Sequence, residues 1–425
     1  MTNGTSQGLF IVVAIIIFGI FTLTSYVLFK DNLKPTLANI FTNGFNQSTT
    51  ALNNGIILEN NINTDETNST IYKNQLYVKI RDKNEAKDET EVWVLLEELK
   101  DGTYAIKSSG IDNTSPTYDI QGYSKGLSGS SMMTGDLILP DTINGKKITL
   151  IKEYAFYFSK FNGQLTLPNY LQSIGGNAFV ASEFTGNLKL PDEMTSIEHS
   201  AFGASNFSGE LILPDKLTSI GELAFMRSNF TGSLTLPDSL QSIGYNAFYF
   251  SNFTGQLHIS KFSKLKSIGA NAFGTSNFTG SLTLPDELTF IGESAFNCSK
   301  FSGDLILPDK LTSIGKLAFA QSIFDGQLTI SKSSKLELIG KLAFGDSKFT
   351  GNLELPNNLS SIEAYAFSRS KFTGTLDISN VTNIGEYAFG NSSISTVKND
   401  SLDNNNKTID KKAIKMADGS YYSIN

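Results

Sequence analysis

The 425-residue chain has one cysteine, Cys298, two histidines, His199 and His258, and one tryptophan. A single thiol rules out an internal disulfide and a thiolate metal cage. Two histidines argue against a multi-histidine metal site and against a Ser/His triad. No cofactor or metal is expected. Charge is scarce as well: 34 Lys+Arg stand against 41 Asp+Glu, for a net charge of −7. A net acidic chain repels phosphate backbones, so nucleic acid is not an expected partner. At 40% hydrophobic the chain is still no disordered polyelectrolyte. Against these shortages stands one excess, 31 phenylalanines.

One apolar stretch, Leu9–Phe29, LFIVVAIIIFGIFTLTSYVLF, runs without a charged residue. At about 1.5 Å per residue it makes a helix roughly 31 Å long, close to the hydrocarbon thickness of a bilayer. It predicts one transmembrane helix, an N-terminal anchor over 1–30. A cleaved signal peptide needs a basic leader and a small-residue cleavage site. Met1–Gly8 has no basic side chain, and 22–30 has no such site. A pilin-like leader cut after Gly8 would bring a glutamate to the place of Val13. Lys30 and Lys34 follow the run, which, read strictly, holds the carboxyl end in the cytoplasm. The content of the remaining chain favours the outside. Residues 31–70 read as a juxtamembrane helix, with Leu33, Leu37, Ile40, Phe41 and Phe45 at helical spacing, and then a flexible Asn/Thr/Ser-rich stalk. Residues 71–133 read as a small β unit capping the repeats that begin at 134. Leu76, Val78 and Ile80 alternate, and Asp101-Gly102 is a hairpin turn between Val92–Leu96 and Tyr104–Ile106.

Residues 134–396 carry an internal repeat. Ala-Phe recurs with Phe at 156, 179, 202, 225, 248, 273, 296, 319, 344, 367 and 389, at a period of 23 with two spacings of 25 and a last one of 22. Such a period marks a solenoid or a similar array. The shared pattern is L-x-L-P-x-x-L-x-x-I-G-x-x-A-F-x-x-S-x-F-x-G. Ile lies five residues before each Phe and Ser three after it, in all eleven copies. A second Phe lies five after, from Phe161 through Phe372, with Ile394 in the last copy. Two columns therefore hold 21 of the 31 phenylalanines. Leu-x-Leu has period two and predicts a short strand with both Leu inward. Pro168, Pro191, Pro214, Pro237, Pro285, Pro308 and Pro356 follow it and end the ladder. Gly after Ile allows a tight corner or a positive φ. The Ser column is expected to hydrogen-bond turn backbone, because a residue in every copy is structural and not a nucleophile. A lone coil cannot close both faces of its core, so the copies must stack.

Units such as LTLPDSLQSIGYNAFYFSNFTGQ (234–256) and LILPDKLTSIGKLAFAQSIFDGQ (305–327) resemble the leucine-rich repeats of the BspA-like family, the Treponema pallidum type. The resemblance implies a β-rich solenoid of about eleven 23-residue coils with parallel strands, displayed on a cell surface for adhesion or protein binding, with no catalytic residues. That family often has Cys where this chain has Ser159 and Ser182, and spaces its L-x-L one residue closer to the preceding Phe-x-Gly.

The middle residue of each L-x-L is expected to point outward. Across the coils it reads Thr166, Lys189, Ile212, Thr235, His258, Thr283, Ile306, Thr329, Glu354 and Asp377, and this row is the candidate partner-binding face. A solvated sheet face would look the same residue by residue, since β-branched side chains favour strands. The 25-residue copies insert Ser260–Lys264 and Ser331–Lys335, either a basic rim or tolerated surface insertions. Asn-Phe-Thr at 229–231, 252–254 and 277–279 matches a glycosylation sequon, because Asn precedes a column Phe. Residues 397–425 read as a polar tail ending in a hairpin cap around Asp418-Gly419. The expectation is a single-pass, membrane-anchored surface protein. It binds a protein or extracellular-matrix partner through its solenoid and touches the membrane through Leu9–Phe29. The alternative is a structural component of a surface or transfer apparatus assembled through the N-terminal helix. An enzyme would need its acids and bases outside the repeats. The acidic loop 82–91 is the sole candidate and reads as a solvated turn, so no enzymatic activity is expected.

Overall fold

The computed structural model describes residues 61–62, 69–72, 75–82, 87, 92–110, 117–118, 124–125, 133–400 and 406–423. Residues 60–425 form one compact unit. The apolar run Leu9–Phe29, the juxtamembrane segment and most of the 82–91 loop lie outside the described residues. Among the described residues no helix is long and apolar enough to cross a membrane.

The repeats wind as a parallel β-solenoid, one coil per copy. Every column Phe is fully buried, at 0% exposure in both rows. The first row stacks ring on ring from Phe156 to Phe389, with neighbouring centroids 5.1–5.5 Å apart. The second row runs from Phe161 to Phe372 and meets the first edge-on, as Phe225 meets Phe230 at 5.9 Å and 75°. Offset stacking within rows and edge contacts between them are the arrangements that ring quadrupoles prefer.

Backbone hydrogen bonds join the coils on three sides. Ser-Ile strands, Ser196–Ile197 through Thr408–Ile409, make one ten-stranded parallel sheet. A second ladder runs through the Ala-Phe turns, where Phe156 N donates to Ala178 O at 2.8 Å and Phe179 N to Ala201 O at 2.8 Å. The third, on the Leu-x-Leu side, is discontinuous. Each Pro opens a turn back into the core, as Leu217 N donates to Pro214 O at 3.1 Å.

The glycines after Ile differ from expectation. None of them has a positive φ. They are required by close approach instead: a Cβ on Gly244 would stand 2.6 Å from Glu222 N, and one on Gly315 2.5 Å from Glu293 N. At Glu198, where a Cβ occupies this slot, the ladder to the preceding coil is missing. Glu363 keeps it, and its carboxylate accepts the Lys341 N–H at 2.7 Å. The left-handed backbone lies elsewhere, two residues before and two after the column Phe. Tyr154 and Phe158, Leu223 and Arg227, and Leu342 and Asp346 all have φ between 54° and 66°. These are third residues of hydrogen-bonded turns, such as Lys152–Ala155 and Phe156–Ser159, which demand positive φ at that place. Non-glycine residues there carry about 1–2 kcal/mol of local strain each, held by the ladder of the next coil.

The Ser column is buried throughout, and its hydrogen bonding is mixed. Ser205, Ser228 and Ser276 donate to the carbonyl of the column Phe at 2.6–2.8 Å, as expected. Ser159, Ser182, Ser251 and Ser347 hydroxyls have no partner among the described residues.

The solenoid extends past the repeats read from the sequence. Thr408–Ile409 joins the Ser-Ile sheet, and Ala413 and Ile414, fully buried, take the Ala-Phe slots, with Phe389 N donating to Ala413 O at 2.8 Å. The polar-tail reading of 397–425 therefore missed a further coil, because Ile409-Asp410 and Ala413-Ile414 replace the Gly and Phe that mark the others. At the other end Met133, 3% exposed, stands four residues before Leu137, where later coils place the second Phe. Ile106 pairs with Ile151 and continues the Ile row. Antiparallel strands Gln75–Arg81, Val92–Glu98 and Tyr104–Gly110 carry the sheet outward from there. Arg81 lies over the Phe161 ring at 5.7 Å and donates to the carbonyls of Thr134 and Asp136. The stalk reading of 46–70 is also cut short. Asn61–Ile62 pairs with Thr142–Ile143, and Ser69–Tyr72 with the strand after it. Thr70 and Ile71 favour strand locally in a segment whose composition is otherwise that of a linker.

Candidate interaction face

The ten residues of the expected row are all exposed, and the residues flanking each are buried or nearly so. Strand alternation does this: Leu234 and Leu236 turn inward, at 0% and 3% exposure, and Thr235 must then face out. Ile138 belongs to the same row at 54% exposure and was missed, because the Thr142–Lys147 turn sets its Leu-Ile-Leu-Pro farther from Ala155-Phe156 than in the later coils. Ile212 and Ile306 are 43% and 66% exposed. At the C-terminal end Asp377 loses solvation, but hydrogen bonds from Ser379 and Lys398 outweigh this and hold its carboxyl below the ordinary range.

On this face the coils are hydrogen-bonded in twos. Leu137–Ile138 pairs with Leu165–Thr166, Leu188–Lys189 with Leu211–Ile212, Leu234–Thr235 with Leu257–His258, and Leu305–Ile306 with Leu328–Thr329. The residue between Gly and the first Leu decides which member a coil is. First members have a short acceptor after a left-handed Gly: Asp136, Asn187, Ser233 and Asp304 after Gly135, Gly186, Gly232 and Gly303, at φ 76–85°. Second members have a long side chain there, and its backbone N–H donates to that acceptor, as Gln164 to Asp136 at 2.7 Å and Glu210 to Asn187 at 2.8 Å. The second-member glycines leave no room for a Cβ, which on Gly163 or Gly209 would meet backbone at 2.8 Å. This G-[D/N/S]-L and G-[Q/E]-L alternation is present in the sequence, hidden beneath the stronger 23-residue period.

The pairing fails after each insertion. Among the described residues Leu282–Leu284 and Leu353–Leu355 belong to no ladder. Both coils follow a 25-residue copy, whose turn is closed by Ser263 N to Ser260 O at 3.1 Å or Ser334 N to Ser331 O at 3.0 Å. A groove of about 310 Å³ opens beside the first unpaired coil, lined in part by Thr235, Asp238, Gln256, His258, Ser281 and Thr283. Of the insertion lysines, Lys261 lies 3.8 Å from Asp286 of the next coil.

Reactive groups elsewhere are engaged structurally. Cys298 is half-buried, burial pushes its thiol up, and its Sγ donates to Gln321 Oε1 at 2.8 Å, so it is a poor nucleophile. Asn229, in one of the sequons, donates to Asn206 Oδ1 at 2.8 Å along a ladder between coils. Among the described residues no cluster of His, Cys, Asp or Glu is arranged to hold a metal ion.

Parallel coils with a buried Leu/Ile/Phe core define a leucine-rich repeat solenoid. The BspA type leucine-rich repeat region matches in six copies, over residues 139–254, 218–349 and 326–421, about two thirds of the chain. The chain belongs to that family, a class of repeat scaffold and not a class of enzyme. Solved structures with a similar fold include the leucine-rich repeat protein of T. pallidum, at 16% identity and a TM-score of 0.32, over 64% of this chain and 86% of that one. A leucine-rich cell surface protein of Faecalibacterium prausnitzii matches at 16% identity and a TM-score of 0.32, over 72% and 93%. The pneumococcal vaccine antigen PcpA matches at 15% and a TM-score of 0.38, over 84% and 93%. No curated protein matches the sequence.

Proposed function

We propose that this chain is a surface-displayed scaffold that binds a protein or matrix partner through its Leu-x-Leu face. The observation that carries the proposal is a contrast within each coil. Ile, Ala, Ser and both Phe hardly vary, whereas the outward row passes from Ile138 through Lys189, His258 and Ile306 to Asp377. A face whose exposed residues differ at every step offers a partner a distinctive surface, while the invariant positions hold the fold. Family membership and the names of the similar surface proteins support this reading. Anchorage through Leu9–Phe29, with the repeats outside the cell, is part of the same proposal.

Two experiments test it. Protease shaving of intact cells is expected to release repeat fragments; full protection would overturn the outward orientation. Deleting 134–396 while preserving display is expected to abolish attachment of cells to protein or matrix-coated surfaces. Attachment that survives the deletion would overturn the binding role. It would favour instead an apparatus component assembled through the N-terminal segment.

A further inference from the structure

We propose that the groove between the His258 and Thr283 coils is a binding site for a neutral glycan, with Phe262 as its stacking platform. The site goes beyond the partner-binding reading and does not depend on it. The groove lining offers hydroxyls from Thr235, Ser260, Ser281 and Thr283, the Gln256 amide and the His258 ring, with Asp238 as its one carboxylate. Most of these groups both donate and accept hydrogen bonds, as the hydroxyls of a sugar ring require. At about 310 Å³ the groove lies at the small end of ligand sites, so it takes a short stretch of chain and not a folded partner.

Three features show that the groove is built into the fold. Among the described residues Leu282–Leu284 is in no ladder, so its coil lacks even the single strand partner that the paired coils have on this side. Gly280, at φ +81°, makes way for the Gln256 amide, whose Nε2 lies 3.0 Å from where a Cβ would stand. Ser260, in the groove wall, accepts the Phe262 N–H on its Oγ at 3.2 Å and the Ser263 N–H on its carbonyl at 3.1 Å. That turn presents Phe262 at 82% exposure, the most exposed large apolar side chain among the described residues. An apolar ring left in water on the turn that begins at the groove-lining Ser260 suits the C–H face of a pyranose. The groove lining contains no Lys or Arg and one carboxylate, Asp238, and Lys261 of the turn faces Asp286 at 3.8 Å, which favours a neutral over an anionic polysaccharide.

The molecule contains its own control. The second insertion repeats the same Ser-Lys frame but has Ser333 in place of Phe262, Thr329 in place of His258, and Ile306 and Glu354 in place of Thr235 and Thr283. That coil has the frame without the ring, and it should not bind.

The test is titration calorimetry of the full chain with maltohexaose, cellohexaose, mannohexaose and chitohexaose, each taken into the millimolar range. At least one is expected to bind, and Phe262→Ser, which copies the second insertion, should weaken it by roughly tenfold or more. His258→Thr should weaken it too, and Ser333→Ala should leave it unchanged. Thermal unfolding of the exposed-site variants should match that of the parent chain, which separates lost binding from lost fold. No heat with any of the four sugars, affinity indifferent to both Phe262→Ser and His258→Thr, or binding confined to sulfated or uronic-acid polymers would each overturn the proposal.

Discussion

The two sheet faces of a single coil follow different rules. On the Ser-Ile side ten strands pair without a break from Ser196 to Ile409. On the Leu-x-Leu side the strands pair in twos and twice not at all. Gly after Ile lets neighbouring backbones close to contact on one side whatever the coil. On the other side, closure depends on an acceptor in one coil meeting a longer residue in the next. The continuous side is where the sequence is monotonous, and the interrupted side is where it varies. The side that holds the coils together is thus distinct from the side proposed for recognition.

The comparison can be broken most directly at the ring stack both sides share. Phe225→Ala removes a ring stacked 5.5 Å from Phe202 and 5.3 Å from Phe248. It should cost about 3–5 kcal/mol in urea unfolding; a loss below about 1 kcal/mol would mean the columns are ornament. The next largest effect tests the continuous face. Gly244→Ala puts a Cβ 2.6 Å from Glu222 N and should lose about 2–3 kcal/mol, with faster hydrogen exchange at the 244 amide, which donates to Ile220 O at 2.8 Å. Gly232→Ala, on the paired face, meets no neighbour but keeps φ +76° and should lose only about 1–2 kcal/mol. Equal costs, or the reverse order, would dissolve the distinction between approach and conformation.

A smaller contrast lies in the Ser column. Ser228→Ala deletes a 2.8 Å hydrogen bond to Phe225 O and should destabilise by about 1 kcal/mol. Ser251→Ala removes a buried hydroxyl without a partner among the described residues and should be neutral or stabilising. Paired melts of the two variants read this difference directly. The smallest effect is at the N-terminal sheet. The Glu97 carboxyl lies below its ordinary range because Lys152 hydrogen-bonds to it at 2.7 Å, against a burial that works the other way. A carboxyl lowered by folding stabilises the native state at neutral pH, and that contribution disappears as pH falls from its unfolded value through its folded one. Glu97→Gln should therefore lower the melting temperature slightly at pH 7 and leave it unchanged near pH 2. An equal shift at both pH values would assign the effect to packing.

Much of the coil was legible in the sequence because its signals recur from coil to coil, the first Phe in all eleven copies, the second in ten and the Pro in seven. The Phe rows and the Pro turns rest on a residue type that physics confines to such a slot, and the outward row from Thr166 to Asp377 follows from the inward Leu on either side of it. Other features had no such marker. Left-handed turn positions hold Tyr154, Leu223, Arg227 and Phe250, types that avoid positive φ when alone, and only the neighbouring coil enforces it. Gly after Ile looked like the conformational residue and proved to be the contact residue. The end coils were overlooked because Met133 and Ile414 stand in the slots of the expected Phe, and Asp410 in that of the expected Gly. The pairing of coils rests on one residue in 23, and it becomes visible only once the acceptor of Asp136 or Asn187 is seen to lie against the coil beside it.

The substitutions at the ends of the ring stacks have a consequence of their own. A column of parallel rings ending in a bare phenyl face would welcome the matching face of another molecule, and copies could then polymerise head to tail into filaments. Here one column starts beneath the Arg81 guanidinium, and the two finish on branched aliphatic residues, Ile394 and Ile414. Neither of these ends presents a bare phenyl face to the solvent.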